Sequence, residues 1–253
     1  MNNIAVIYTT FLRTELMQQT LLSVLQTVPK DVMVLVGDQD FKNDNYVQFK
    51  KYDNLVITQL PYDCGVSYAR NVLIEKAHIE YNCEFIILSA DSIKFTPKTW
   101  NEAIIEKCIN VLRSNEKYGI IGLDLENREP WEYSLRLEVP TGFIISKTIG
   151  LQFATQEDID IRHCDICRNF LIAKTKTMLI VPYDNDLKTG EHEDFFYRFK
   201  QAGYVVGYTK ALQATYVKDA PAAYFKMRKR LYHEFSKKLM IKYKINKWVI
   251  RER

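Results

Sequence analysis

Residues 188–196 concentrate side chains that can do acid–base chemistry. The segment reads Lys-Thr-Gly-Glu-His-Glu-Asp-Phe-Phe, so Glu191, His192, Glu193 and Asp194 stand directly before a predicted helix. The helix dipole stabilises acids in a first turn by ~0.3–1 kcal/mol each, which accounts for one or two of them as capping residues. A carboxylate that is crowded by others has a raised pKa and can take a proton from a hydroxyl group. The segment therefore predicts a general base.

A second segment has the features of a phosphate-binding turn. The sequence Asp63-Cys64-Gly65-Val66-Ser67-Tyr68-Ala69-Arg70-Asn71 predicts a turn that leads into a helix. Gly65 permits close approach of the backbone, the helix N-terminus offers unpaired N–H groups, and Arg70 offers a planar cation. Together these features favour a ligand that carries phosphate. An ordinary loop–helix junction is the alternative.

An acid stands where the most apolar predicted strand ends. In the sequence Leu88-Ser89-Ala90-Asp91-Ser92, Asp91 directly follows the strand predicted at residues 84–90. In open α/β sheets, ligands bind beyond the carboxyl ends of the strands. We therefore expect Asp91 to lie at such a site.

The first half of the chain supplies a scaffold that can position these residues. Short apolar or β-branched runs predict strands, and apolar residues at helical spacing predict helices. Strands are predicted at 4–8, 32–36, 55–59, 84–90 and 120–123, and helices at 15–28, 66–78 and 97–112. This alternation predicts an α/β fold with a mostly parallel, Rossmann-like central sheet and helices on both faces.

After about residue 126 the pattern is mixed and less regular. Strands are predicted at 133–139, 142–146, 169–173, 178–181 and 204–209, and a helix at 193–201. No linker rich in Pro, Gly or Ser separates the two halves. We therefore predict one domain over residues 1–224 with two functional halves, 1–125 and 126–224.

Composition excludes several classes of protein. The 253 residues are 47% hydrophobic and 26% charged, which excludes disorder, coiled coil and collagen. The apolar runs are a few residues long, against the ~20 that a bilayer span requires, and no signal-peptide pattern begins the sequence. Five cysteines among apolar neighbours indicate reduced thiols, although Cys164 and Cys167 after His163 could also indicate a zinc or redox site. We expect a cytoplasmic protein.

The segment 225–253 is a basic amphipathic tail. It holds eleven Lys or Arg and two acids, whereas the net charge of the whole chain is only +4. Apolar residues recur at steps of four and form one helical stripe, Leu231, Phe235, Leu239 and Tyr243, which Trp248 follows. This pattern favours a helix that binds an anionic membrane surface, here the inner face of the membrane, and the alternative is a helix docked on its own domain. Nucleic acid is not expected, since the rest of the chain is acidic and carries no binding motif.

In this order, the motifs resemble those of GT-A fold glycosyltransferases of the inverting family 2 type. The matching residues are Ile4-Ala5-Val6-Ile7-Tyr8-Thr9-Thr10, Val34-Leu35-Val36-Gly37-Asp38, Gly65-x-Ser67-x-Ala69-Arg70-Asn71, Asp91 and Gly190-Glu191-His192-Glu193-Asp194-Phe195-Phe196, with Gly203 downstream. Residues 188–196 are most similar to the β-1,4-N-acetylgalactosaminyltransferases. The resemblance covers roughly residues 4–215. It implies an enzyme of polysaccharide biosynthesis that transfers a hexose or N-acetylhexosamine, favoured as the UDP-linked sugar, to a glycan or lipid-linked acceptor.

The resemblance also implies a role for each half and each matching residue. Residues 1–125 would bind the nucleotide-sugar, and residues 126–224 would bind the acceptor and supply the base. The residues implied for donor binding are Thr9, Thr10, Arg13, Asp38, Gly65, Arg70 and Asp91, with Asp38 at the nucleotide base and Asp91 on a divalent metal, Mn²⁺ or Mg²⁺. Asp194 would be the general base of an in-line displacement, with Glu193 as the rival and with Glu191 and His192 in the same catalytic segment.

One departure from the family's pattern concerns the metal. Where relatives have Asp-x-Asp, this chain has Ser89-Ala90-Asp91, and Thr215-Tyr216 stands where many relatives have a histidine ligand. Mg²⁺ is often held by one or two carboxylates together with substrate phosphates, so a weak or dispensable metal is expected. The departure also favours an alternative function, a catalytically silent relative that binds nucleotide-sugar or glycan. A nucleotidyltransferase is a poorer alternative, because the sequence lacks a glycine-rich phosphate loop near its start.

Overall fold

The apolar runs and helical stripes of the sequence form twelve strands and six α-helices within the part of the chain that the structure describes. The structure is a computed structural model and describes residues 3–147, 151–153, 157–218 and 221–252. Residues 1, 2 and 253, the outer ends of the predicted domain and tail, lie outside the described residues. The strands are β1 (Ile4–Thr10), β2 (Met33–Asp38), β3 (Leu55–Gln59), β4 (Phe85–Leu88), β5 (Ile93–Lys94), β6 (Tyr118–Leu125), β7 (Tyr133–Glu138), β8 (Gly142–Lys147), β9 (Arg162–Cys164), β10 (Leu171–Lys174), β11 (Val205–Tyr216) and β12 (Lys247–Arg251). The helices are α1 (Thr14–Leu25), α2 (Val66–Ile79), α3 (Glu102–Ser114), α4 (Thr175–Ile180), α5 (Glu191–Gln201) and α6 (Ala222–Tyr243), with a 3₁₀ helix at Asn43–Phe49.

Nine of the described strands form the central sheet. Its order is β3–β2–β1–β4–β10–β6–β11–β5, and β9 pairs with β11. Neighbours from β3 to β4 run parallel, as do β6 and β11, whereas β10 runs antiparallel between β4 and β6. Both β5 and β9 pair antiparallel with β11. The predicted α/β fold with a mostly parallel central sheet is confirmed.

The helices cover both faces of this sheet. Successive side chains of a strand point to opposite faces, so Val6 and Tyr8 of β1 enter one buried cluster and Ala5 and Ile7 enter the other. Residues of α1 and α3 belong to the first cluster, and residues of α2, α5 and α6 belong to the second. Because both faces of β1 and β4 are covered, these strands are continuous apolar runs, as the sequence shows.

Parallel strands end at a common edge and bring the predicted ligand-binding residues together. Thr10, the last residue of β1, pairs with Asp38, the last residue of β2. Ile7 pairs with Leu88 at the end of β4, which places Asp91 just beyond the same edge. The site is therefore expected at this edge.

Several predicted elements differ from those observed, among them the helix predicted at 97–112, which begins at Glu102. The strand predicted at 178–181 is instead the last part of α4, in which Thr175, Thr177 and Met178 are buried. A short apolar run cannot by itself distinguish a strand from a buried helix. Helix α5 begins at Glu191 rather than at 193, directly after Gly190 in a left-handed conformation with φ +80°. A Cβ on Gly190 would lie 2.7 Å from Cζ2 of Trp248, so the helix start fits closely against the C-terminal segment.

The predicted basic tail is built into the domain. Its apolar stripe lies in the second buried cluster through Leu231, Phe235 and Leu239, and Trp248 lies there too. After α6, β12 pairs parallel with β8 in a three-stranded sheet completed by β7. The stripe therefore packs on the protein's own core and is not available to insert into a membrane, which corrects the expectation that it forms a membrane-binding face. Among the described residues, no helix is both long and apolar enough to span a bilayer.

Substitution of Phe235 by Ala tests the docking of α6. The side chain is 3% exposed, so Phe235→Ala should lower the free energy of unfolding by about 3–5 kcal/mol. Ile241→Ala is the matched control, because Ile241 lies on the same helix but is 79% exposed; its effect should stay within about 0.5 kcal/mol. Urea denaturation followed by circular dichroism measures both. Equal, small effects would mean that α6 is not part of the core.

Candidate active site

A cleft of about 380 Å³ lies at the predicted edge of the central sheet. Seven of the predicted site residues line it: Thr9, Thr10, Arg13, Gly65, Arg70, Asp91 and Glu191. The lining does not include Asp38, His192, Glu193 or Asp194. The cleft therefore combines the phosphate-binding turn, the acid after β4 and one acid of the segment 188–196.

A buried ion pair joins the two most informative motifs. Nη1 of Arg70 lies 2.9 Å from Oε1 of Glu191, and both side chains are less than a tenth exposed. The Arg70 guanidinium also lies over the ring of Tyr183, 4.8 Å from its centroid. Among the described residues, Oε2 of Glu191 has no hydrogen-bond partner. One carboxylate oxygen is thus held in place while the other stays available at the cleft.

Helix α2 also holds the segment that leads to Glu191. The Ser67 hydroxyl donates to the carbonyl oxygen of Leu187 at 2.6 Å. The Asn71 amide donates to the carbonyl oxygen of Tyr183 at 2.8 Å, and its own oxygen accepts from the Tyr183 N–H at 3.0 Å. The polar residues of the motif Gly-x-Ser-x-Ala-Arg-Asn therefore act together: Ser67 and Asn71 position the loop, and Arg70 positions the acid.

Gly65 brings this loop close to the cleft. Its φ is +91°, and a Cβ at this position would lie 2.7 Å from Cγ of Lys188. Its N–H donates to Oε1 of Gln39 at 2.8 Å. The backbone of Gly65 thus lies close to Lys188, as the predicted close approach requires. The Lys188 ammonium group forms an ion pair with Asp63 at 2.8 Å.

Asp91 is held by cationic and hydroxyl groups of the protein. Nη1 of Arg13 lies 2.6 Å from Oδ1 of Asp91, and the Thr10 hydroxyl donates to Oδ2 at 3.2 Å. The Thr20 hydroxyl donates to the Asp91 backbone oxygen at 2.6 Å. Burial raises the pKa of Asp91 to about 6, against the opposing effect of Arg13.

The cleft residues do not by themselves form a divalent-metal site. Mg²⁺ held by one carboxylate needs substrate phosphates for its remaining ligands, and Asp91 offers a single carboxylate whose Oδ1 already binds the Arg13 guanidinium. The described residues contain no group of three His, Cys, Asp or Glu that could hold a metal ion. The same finding gives no support to a zinc site at Cys164 and Cys167, which are both buried free thiols.

Asp38 is buried and does not line this cleft. Its Oδ2 accepts from the Tyr46 hydroxyl at 2.7 Å, and its Oδ1 accepts from the Asp40 N–H at 2.8 Å. Burial raises its pKa. Gln39, the next residue, lines the cleft instead. The strand predicted to end at Val36 ends two residues later, at Asp38, and the side chain at the cleft belongs to the following residue.

Asp194 lies in a structural network and not at the cleft. It is fully buried, and its Oδ1 accepts from Nζ of Lys242 at 2.6 Å and from the Tyr243 hydroxyl at 2.7 Å. Its Oδ2 accepts from Nε of Arg198 at 2.8 Å. These bonds tie α5 to the end of α6, so the geometry does not support the predicted role of Asp194 as the base.

The two residues between these acids are also buried away from the cleft. His192 stacks on Trp131 with ring centroids 5.1 Å apart, and its Nδ1 lies 3.0 Å from Oδ1 of Asn169. Burial and then the nearby Arg70 charge lower the pKa of His192 to about 3, so the imidazole is neutral near pH 7. Burial raises the pKa of Glu193 to about 7, with a further contribution from the charge of Glu191.

Several cleft residues were missed by the sequence analysis. They are Gln39, Asp63, Trp131, Arg168, Lys188, Lys218 and Arg228. Lys188 belongs to the motif that predicted the base and Asp63 to the predicted turn, so both had a signal. Arg228 lies in the basic tail, where nothing in the sequence distinguishes it from the surface lysines and arginines around it.

The raised pKa of Glu193 predicts a pH-dependent stability. The Glu193 carboxyl group binds its proton more tightly in the folded protein than in the unfolded chain. The stability that this proton binding contributes is therefore present at pH 4 and is lost as the pH rises through about 7. Glu193→Gln should therefore be more stable than the wild type at pH 8 by about 1–3 kcal/mol and equally stable at pH 4. Chemical denaturation at both pH values measures this. Glu234 is exposed and provides the control, because Glu234→Gln should leave the free energy of unfolding unchanged at both pH values. A Glu193→Gln protein that is less stable than the wild type at pH 8 would contradict the prediction.

Three solved structures are similar to this chain in fold. S. aureus TarS 1-349 in complex with UDP-GlcNAc matches with a TM-score of 0.59 and 14% identity over 87% of this chain and 59% of its own. GalNAc-T7 with UDP, GalNAc and Mn²⁺ matches with a TM-score of 0.65 and 9% identity over 85% and 44%. Mannosyltransferase PcManGT from Pyrobaculum calidifontis, in complex with GDP-Man and Mn²⁺, matches with a TM-score of 0.57 and 11% identity over 87% and 57%.

The likeness concerns the three-dimensional arrangement of the chain. By sequence, no protein-family model and no curated protein matches it. The chain covers about half the length of each of these three structures. All three are glycosyltransferases with the GT-A fold, and the fold of this chain is the GT-A fold that its motifs predicted.

Proposed function

We propose that the chain is an inverting glycosyltransferase that moves a sugar from a nucleotide diphosphate to an acceptor hydroxyl group. The observation that carries the proposal is Glu191, a carboxylate at the cleft with one oxygen fixed by Arg70 and the other without a partner. A cleft at the carboxyl edge of an α/β sheet is where such a fold binds its ligand. Solved structures that share the fold were obtained with UDP-GlcNAc and GDP-Man.

Glu191 is assigned as the general base in place of Asp194. In an in-line displacement the acceptor oxygen attacks the anomeric carbon as the bond to the diphosphate breaks, and the base takes the hydroxyl proton. Oε2 of Glu191 can accept that proton, whereas both oxygens of Asp194 are bound by Arg198, Lys242 and Tyr243. Arg70 holds Glu191 in one orientation, so the enzyme does not have to order the base when the acceptor binds.

Both halves of the chain contribute residues to the cleft. Thr9, Thr10 and Gly65 come from the first half, which we propose binds the nucleotide-sugar. Trp131 and Arg168 come from the second half, which we propose binds the acceptor. A UDP-linked hexose or N-acetylhexosamine and a glycan or lipid-linked acceptor are the substrates we favour.

An anionic membrane surface remains a proposed partner through charge alone. Helix α6 exposes Lys226, Lys229, Arg230, Lys237 and Lys238. Each basic residue near such a surface contributes about 1 kcal/mol of attraction, which salt screens. A lipid-linked acceptor would then be presented by the membrane, without insertion of the α6 stripe.

Paired variants of the two acids test the assignment of the base. Glu191→Gln should lower kcat per folded molecule for UDP-sugar hydrolysis by ~10²–10⁴ while the Kd for UDP stays within a few-fold, because a general base acts in the transition state. Its melting temperature should fall as well, because the buried Arg70 loses its ion-pair partner. Asp194→Asn should mainly lower the melting temperature and keep kcat per folded molecule within about tenfold. Hydrolysis of UDP-, GDP- and dTDP-sugars by the wild type first selects the donor.

The same measurements distinguish the alternatives. A folded Asp194→Asn protein without turnover, beside an active Glu191→Gln, would return the base to Asp194. Nucleotide binding without any turnover of a sugar donor by the wild type would favour the catalytically silent relative that binds nucleotide-sugar.

A further inference from the structure

We infer that side-chain cations, with Arg228 and Lys218 as the decisive pair, bind the diphosphate of the donor in this cleft and that no divalent metal is needed there. The inference rests on the proposed function, because it assumes a nucleotide diphosphate as the ligand. It goes beyond that function by assigning the phosphate site to two residues that no motif indicated.

The charge balance of the cleft favours an anion. Among the residues that the structure describes, six cationic side chains line it, Arg13, Arg70, Arg168, Lys188, Lys218 and Arg228, against three carboxylates, Asp63, Asp91 and Glu191. The described lining is therefore cationic by three charges. A diphosphate diester carries one negative charge on each phosphate, so this excess can neutralise the leaving group as it forms. A divalent cation would add positive charge to a site that already has an excess of it.

Each of the three carboxylates is already paired. Lys188 lies 2.8 Å from Asp63, Arg13 lies 2.6 Å from Asp91, and Arg70 lies 2.9 Å from Glu191. The two charges of an ion pair largely cancel, so a paired cation attracts an anionic ligand only weakly. These three cations therefore position acids, and the charge for an incoming anion must come from the other three.

Of the other three cations, Arg168 is partly engaged elsewhere. Its Nη2 donates to the backbone oxygen of Glu129 at 2.8 Å, and its guanidinium lies 5.3 Å from the ring centroid of Trp131. Neither Arg228 nor Lys218 makes an ion pair or a side-chain hydrogen bond with any described residue. Both side chains are exposed and can reorient toward a ligand.

Backbone and ring contacts place these two residues beside Asp91. The Val217 N–H donates to the Ser92 backbone oxygen at 2.8 Å, which sets Lys218 next to the turn that carries Asp91. In the first turn of α6, the Tyr224 ring lies 4.8 Å from the Arg13 guanidinium that binds Asp91. Arg228 follows Tyr224 by one helical turn and lines the same cleft. Both cations therefore line the cleft that also contains Asp91, and the charge of Arg228 acts on Asp91 and opposes the rise of its pKa.

Nucleotide binding in the absence of metal tests this inference. Isothermal titration of UDP into the whole protein, in EDTA and in Mn²⁺, should give Kd values within about twofold of each other. Arg228→Ala and Lys218→Ala should each raise the Kd for UDP in EDTA by about tenfold or more, since hydrogen bonds to charged groups contribute ~1.5–3 kcal/mol. Neither should change the affinity for uridine, which lacks phosphate, and Arg228→Lys should restore most of the binding.

Lys229→Ala is the matched control, because Lys229 is the exposed neighbour of Arg228 on α6 and does not line the cleft. It should leave the Kd for UDP within twofold. Binding that is lost in EDTA and restored by Mn²⁺, with Arg228→Ala unaffected, would overturn the metal-free site and leave the proposed function intact. Absence of binding to UDP, GDP and dTDP in both buffers would overturn the proposed function and this inference with it.

Discussion

The buried ion pair between Arg70 and Glu191 is the interaction on which the site depends. It joins the start of α5 to α2, two segments that lie more than a hundred residues apart in sequence. Loss of one partner leaves an unpaired buried charge, which costs about 3–5 kcal/mol. The hydrogen bonds of Ser67 and Asn71 to the same loop have a related effect, because they hold the loop at the distance that lets the ion pair form. The two motifs are therefore one physical unit.

Strand ends could be predicted from the sequence, whereas side-chain directions at those ends could not. Apolar runs predict the ends of β1, β2 and β4 to within two residues, and the structure places Thr10, Asp38 and Asp91 at one edge of the sheet. Which acid of the segment 188–196 faces the cleft depends on contacts from another part of the chain. Lys242, 48 residues after Asp194, binds that carboxylate and removes it from the site. No local pattern contains this information.

The tail shows a second limit of sequence reasoning. Apolar residues at steps of four form the same stripe whether the helix meets a lipid surface or a protein core. The deciding factor is the partner surface, here built by β8 and α5 and represented by Phe143, whose ring lies 5.0 Å from that of Tyr243. The basic residues did not distinguish the alternatives either, because charges on a docked helix and on a membrane-bound helix both face away from the apolar stripe.

Helix α6 touches two separate parts of the molecule and is therefore constrained in its length. Tyr224 stacks on Arg13 at the cleft, and Lys242 binds Asp194 at the far end of the same helix. An insertion of one residue between them would rotate everything beyond it by about 100°, because an α-helix has 3.6 residues per turn. Such an insertion would turn the buried stripe toward solvent and break the bond to Asp194. The number of residues between these two contacts is therefore fixed by the fold.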